Sequence, residues 1–261
     1  MSNNTIPLDQ SYKNLTRQSG EVISYQKLPA NSPGDLPGMI FLPGFMSDMN
    51  GAKALAVENF ARVSGQSFVR FDYFGHGNSS GNFVDGHMGI WASDTLAVLD
   101  ELTKGPQILI GSSMGGWLML LTAIARPERI IGLIGLAAAP DFTEDLLRNE
   151  LSQDELIEVN ERGFVTCKSQ YEDDYIYTKA LFDEGLKHLV LRDEMPIDCP
   201  VRLIHGLSDK VVPWQTAINI QEKIRGTDVE IILVKDGDHR LSTDSDLECL
   251  IGTIGNLING F

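Results

Sequence analysis

The chain has 261 residues, 43% of them hydrophobic and 22% charged, a globular composition that argues against disorder and suits one large α/β domain. A net charge of −15 makes nucleic acid and anionic membrane surfaces poor partners, because both require a basic patch for counterion release. Three widely spaced cysteines, Cys167, Cys199 and Cys249, form no CxxC and no Cys/His cluster, so neither a disulfide framework nor a metal site is expected, and free thiols point to a reducing compartment.

The opening MSNNTIPLDQ carries no apolar signal core and no arginine-rich transit pattern. The longest apolar runs, 117–125 and 130–140, fall short of the roughly 18–20 residues that span a bilayer, so a soluble protein with no membrane span is expected. In chain order, 12–27 reads as two short polar strands in an edge hairpin, and 30–37 (ANSPGDLP) as a loop. Residues 39–42 are a buried strand closed by Pro43-Gly44, and 52–64 has apolar residues at helical spacing. Strands at 67–73, 107–111 and 130–138 then alternate with helices at 86–102 and 113–125. After a break come strand 201–205, helix 214–224, strand 230–234 and helix 244–258.

This alternation predicts βαβ units and a mostly parallel, doubly wound sheet covered on both faces. QILIG and RIIGLIGLA are continuously apolar, as burial on both faces demands. Ligands in such sheets bind beyond the C-terminal strand ends. The break at 141–198 divides the α/β core into 1–140 and 199–261, and it holds sixteen Asp/Glu against six Lys/Arg. Its patterning reads as helical at 142–149, 153–160 and 175–187. Because it leaves from a strand's C-terminal end, it is expected to be a small helical lid over the site.

Gly111-Ser112-Ser113-Met114-Gly115 matches G-x-S-x-G, a weak signal alone. Here it closes an apolar strand and opens a helix, the strand–turn–helix that a nucleophile elbow requires. The register selects Ser113, since Ser112 would be flanked by Ile110 and Met114 where small residues are needed. The competing role for Ser113 is a helix N-cap. A serine hydroxyl requires a base. His239, in DGDHR beyond strand 230–234, occupies the last place of the chain order Ser…Asp…His. His76, His87, His188 and His205 read as structural. Asp209, in HGLSDKVVP after strand 201–205, is preferred over Asp236 and Asp238 as the carboxylate that orients the imidazole. Two backbone N–H groups should form the oxyanion hole: Met114, after the nucleophile, and Phe45, turned inward by Gly44. The segment 72–79 (DYFGHGNS) is expected to be a packed turn beside the site.

LPGF at 42–45, RFDYFGHGNSSG at 70–81, GSSMGGW at 111–117, HGLSDKVVP at 205–213 and DGDHRLS at 236–242 together resemble the α/β-hydrolase superfamily. The runs 105–130 and 41–54 are similar to its abhydrolase group of acyl-protein thioesterases and acyl-glucuronide esterases. The resemblance implies the α/β-hydrolase fold and hydrolysis of a small-molecule acyl ester or thioester, with Ser113, Asp209 and His239 as triad and no cofactor or metal. A monoacylglycerol-type lipase or a carbon–carbon bond hydrolase is the alternative on the same fold, and a non-catalytic receptor is disfavoured by the complete triad. Without the presequence of that group's mitochondrial member, a cytoplasmic location is expected.

Overall fold

The computed structural model describes residues 12–31, 36–168 and 174–261. The polar opening, most of the 30–37 loop and part of the 141–198 break lie outside the described residues. An edge hairpin comes first, with β1 (Lys13–Thr16) and β2 (Val22–Leu28) paired antiparallel. Then follow β3 (Gly38–Leu42), α1 (Ala52–Ser64), β4 (Phe68–Phe71), α2 (Met88–Ala97), β5 (Gln107–Ser112), α3 (Met114–Ala125) and β6 (Ile130–Leu136). The excursion contains α4 (Phe142–Asp145), α5 (Gln153–Arg162), β7 (Phe164–Cys167), β8 (Tyr175–Thr178) and α6 (Lys179–Gly185). Alternation resumes with β9 (Val201–Gly206), α7 (Gln215–Lys223), β10 (Val229–Val234) and α8 (Asp244–Ile258).

The main sheet has eight strands in the order β1-β2-β4-β3-β5-β6-β9-β10, and every pair from β4 onward is parallel. β3 and β5 are buried at every position, which explains the apolar runs Met39–Leu42 and Ile108–Ile110. Two cores cover the two faces. Trp91, Trp117, Leu118 and Ile220 pack from α2, α3 and α7 on one side, and Ala54, Val57, Leu250 and Ile254 pack from α1 and α8 on the other.

Two predicted elements differ. The helix read over 86–102 starts at Met88 and widens into a π-type turn at Val98–Leu102. The excursion is less helical than expected, because 175–187 is a strand followed by a helix. Tyr175-Ile176-Tyr177-Thr178 pairs antiparallel with β7, and only beyond Thr178, whose side chain accepts from the Leu181 N–H, does α6 begin. Aromatic and β-branched residues suit a pleated pair better than a helix surface.

Candidate active site

Ser113 sits at the tight turn between β5 and α3 with φ 54° and ψ −119°, a conformation L-residues rarely adopt. Its side chain caps no N–H of α3, so the N-cap role is not what holds it there. The turn is fixed through the backbone: Ser113 N–H donates to Leu136 O at 2.9 Å, and Ser113 O accepts from Gly116 and Ala139 at 2.8 and 3.0 Å. Both flanking glycines are required by close approach. A Cβ on Gly111 would lie 2.4 Å from Gly115 O, and one on Gly115 would lie 2.1 Å from Leu42 O.

Ser113 Oγ lies 3.0 Å from His239 Nε2, and His239 Nδ1 lies 2.8 Å from Asp209 Oδ2. The hydroxyl therefore donates to Nε2 while Nδ1–H donates to the carboxylate. Loops after β9 and β10 carry these two residues, and they meet backbone to backbone, since a Cβ on Gly206 would lie 2.1 Å from Gly237 O. A capping box between Thr243 and Asp246 pins the far end of the His239 loop at the start of α8. Asp209 has no exposed side-chain surface, and its Oδ1 accepts from the Val211 and Val212 N–H groups at 2.8 and 2.9 Å. Burial alone pushes its carboxyl up, but hydrogen bonds from His205, His239 and the Val212 N–H outweigh that and hold it well below the usual carboxylate range. Asp238 is turned into its own loop, its Oδ1 accepting from Arg240 and Leu241 N–H at 3.0 and 3.1 Å.

Phe45 and Met114 both line the same cavity as Ser113, and neither backbone N–H has an acceptor among the described residues. Gly44 is needed in this turn for space. The left-handed residue of this turn is Met46, with φ 54°, and Gly44 serves close approach, since a Cβ there would lie 3.3 Å from Ser113 Cβ. The Phe45 ring is held by Phe83, Phe142 and Tyr177, with centroids 4.9, 5.8 and 5.6 Å away. The 72–79 turn is packed against this loop as expected: Tyr73 Oη donates to Pro43 O at 3.2 Å, and Asp72 Oδ1 accepts from Met49 N–H at 2.7 Å.

The cavity over Ser113 has a volume of about 350 Å³, within the range of small-molecule sites. The excursion supplies Phe142, Leu146, Glu150, Tyr175 and Tyr177 to its wall. Lys53 and Arg240 line it as well. Lys53 Nζ donates to Arg240 O, and burial pulls its ammonium down to about 8, partly opposed by Asp238.

Sequence reasoning missed two residues. His205 is buried, as a structural reading implies, but its Nε2 also faces Asp209 Oδ2 at 3.2 Å. The only sequence signal is the four-residue spacing of His205 and Asp209 beyond a strand. Lys53 gave no signal, being one polar residue at the start of an amphipathic helix. The remaining histidines lie elsewhere: His76 is buried against Tyr73, Phe83 and Trp91, and His87 and His188 flank Glu184. Among the described residues, no group of three or more His, Cys, Asp or Glu is placed to hold a metal, and no helix is long and apolar enough to cross a membrane.

Comparison with known proteins places this geometry in a family. The model of the alpha/beta hydrolase family matches residues 39–248. Palmitoyl-protein thioesterase ABHD10, mitochondrial, of Homo sapiens is 42% identical over 247 residues, covering 94% of this chain and 79% of the relative. The Bos taurus protein of the same name is 40% identical over the same shares. The solved structure of alpha/beta hydrolase domain-containing protein 10 from mouse superposes with a TM-score of 0.87 at 41% identity, covering 96% of this chain and 99% of that one. These relatives overturn the expected cytoplasmic location, since all those at 40–42% identity are named mitochondrial. That expectation was drawn from ten N-terminal residues, whereas compartment is set by import signals that the fold does not encode. A family model spanning most of the chain and relatives aligned along nearly all of it give one conclusion: the chain belongs to the alpha/beta hydrolase family.

Proposed function

We propose that the chain is a serine hydrolase that cleaves carboxylic thioesters and activated oxygen esters through an acyl-enzyme on Ser113. It acts on ester or thioester bonds. The observation that carries the mechanism is the unbroken relay from Ser113 Oγ through His239 to Asp209, at 3.0 and 2.8 Å, at the wall of a cavity. In the first step His239 Nε2 takes the hydroxyl proton as Oγ attacks the acyl carbon. The Phe45 and Met114 amides hold the resulting oxyanion, and the positive end of α3 adds to their field. Collapse expels the thiol or alcohol, which leaves with the proton held on Nε2. Water, deprotonated by the same imidazole, then releases the carboxylic acid and restores Ser113. Asp209 keeps the proton of neutral His239 on Nδ1 and stabilises the imidazolium. These steps require no metal or organic cofactor.

The reading of 141–198 as a lid over the core of 1–140 and 199–261 is supported by the wall residues it contributes, Leu146 and Tyr177 among them. The names of the relatives favour a thioester of a long acyl chain as substrate. A fluorophosphonate should label native protein at Ser113, and Ser113→Ala should abolish labelling. Label at another residue, or none on folded protein, removes the assignment. A panel of thioesters beside p-nitrophenyl esters of increasing chain length tests the substrate class, and failure of every thioester while long oxygen esters turn over refutes the thioesterase reading.

A further inference from the structure

Asp209 carries more donors than its partnership with His239 requires. Oδ1 accepts from two backbone N–H groups, of Val211 and Val212. Oδ2 faces His239 Nδ1 at 2.8 Å and His205 Nε2 at 3.2 Å. A carboxylate offers about four lone-pair sites, and here each is met. His205 Nε2 also lies 3.1 Å from Val212 O. Both neighbours of this nitrogen are acceptors, so it bears the proton and donates to the two of them. The imidazole sits at the C-terminal end of β9, one residue before Gly206, with 1% of its surface exposed. Leu207–Pro213 therefore closes on itself through one side chain: His205 holds the carboxylate at one end of the loop and the Val212 carbonyl at the other.

We infer that His205 is a positioning residue for the hydrolysis, fixing Asp209 so that Oδ2 points at His239 and tempering the charge the carboxylate presents to that imidazole. The inference rests on the triad reading above. With the His205 N–H removed, Oδ2 loses its fixed point, and the charge that N–H had offset acts on His239 alone. That charge stabilises the imidazolium, so the base becomes protonated, and inactive, at a higher pH. The other charged groups about His239 do not change with this substitution. Asp238 is committed to its own loop, and Lys53 and Arg240 lie together along the cavity wall.

The experiment compares His205→Leu, which has no donor, with His205→Gln, whose side-chain amide carries an N–H to nearly the same place. Hydrolysis of a p-nitrophenyl ester is followed against pH, and every rate is divided by the active sites titrated with a fluorophosphonate. His205→Leu should lower kcat per titrated site about 10-fold to 100-fold with KM little changed, the loss of one hydrogen bond to a charged group. Its acid limb should move up by about half a pH unit or more. His205→Gln should recover most of the rate and the native limb. A leucine variant that loses only thermal stability, with per-site kcat and acid limb intact, overturns the inference, as does a glutamine variant as impaired as leucine. If His205→Leu does not fold, His205→Asn replaces it: its amide is polar but stops short of Asp209, and activity equal to that of the glutamine variant overturns the inference. Ser113→Ala is measured alongside. Turnover by Ser113→Ala means the triad reading has failed, whereas an inactive Ser113→Ala with an unimpaired His205→Leu means that only the role of His205 has.

Discussion

Substituting Gly115 by alanine tests the elbow directly. The new Cβ would lie 2.1 Å from Leu42 O and 2.6 Å from Pro43 O, both backbone atoms. An unforced C···O approach is about 3.3 Å, so the start of α3 and the end of β3 must part by about 1.2 Å. That displacement separates the Met114 N–H from the Phe45 N–H across the proposed oxyanion hole. A misplacement of about 1 Å costs on the order of 100-fold in rate, and overpacking of this kind costs about 1–3 kcal/mol of stability. For a chain of this size each kcal/mol lowers Tm by about 2–4 °C. Gly115→Ala should therefore lower Tm by several degrees and kcat about 100-fold. Kinetics on a p-nitrophenyl ester, normalised to folded protein, measure the second effect. Gly252, in α8, is the control: nothing lies within 4 Å of a Cβ there, and Gly252→Ala should raise stability by about 0.5–1 kcal/mol with kcat unchanged. A Gly115→Ala enzyme with native kcat and Tm would refute the claim that the start of α3 and the end of β3 approach too closely for a Cβ.

Asp209→Asn should lower kcat on the order of 10⁴-fold, because an amide neither fixes the imidazole tautomer nor stabilises its cation; progress curves on the folded variant check this, and a loss under 10-fold contradicts the role. His76 gives a stability prediction. Burial holds this imidazole down at about 4 against the ordinary 6.5, so the folded state resists a proton that the unfolded chain accepts. Stability is full above pH 6.5 and falls as the pH drops toward 4, by about 3 kcal/mol for this group. The Tm of His76→Phe should therefore vary less between pH 7 and pH 4.5 than that of the unsubstituted protein, and parallel curves would show that His76 does not titrate in this way.

Much of the fold is written in local pattern. β3 and β5 are buried on both faces, and the apolar runs Met39–Leu42 and Ile108–Ile110 at their centres say so in the sequence. Ser113 was separable from Ser112 because only one register places small residues two positions away on each side, and those glycines meet backbone atoms at distances no side chain tolerates. His239 and Asp209 could be singled out because chain order and strand ends restrict where an imidazole and a carboxylate meet a serine. What escaped depends on contacts between distant segments. Tyr175–Thr178 is a strand only because β7 lies beside it, and four residues ahead of a good helix are easily absorbed into that helix. The tie from His205 to Asp209 needs the loop to fold back on its own strand, which spacing does not reveal. The close approach that Gly44 serves was not legible either, since a glycine kept for its missing Cβ and one kept for a positive φ look alike in sequence.

The wall of the cavity has two origins. Ser113 and His239 come from strand ends braced by the sheet, with Asp209 buried behind them, whereas Leu146, Glu150, Tyr175 and Tyr177 come from the excursion between β6 and β9, which also packs on the core, Tyr177 against Phe45 and the His188 carbonyl against Trp117 Nε1. A change of side chain at Leu146 or Glu150 alters that wall away from Ser113, His239 and Asp209, whereas a change at Tyr177 also reaches Phe45 beside the proposed oxyanion hole. On the lid reading proposed above, what is admitted and how it reacts are separable at those wall positions, and exchanging them between relatives is the direct route to a new substrate range.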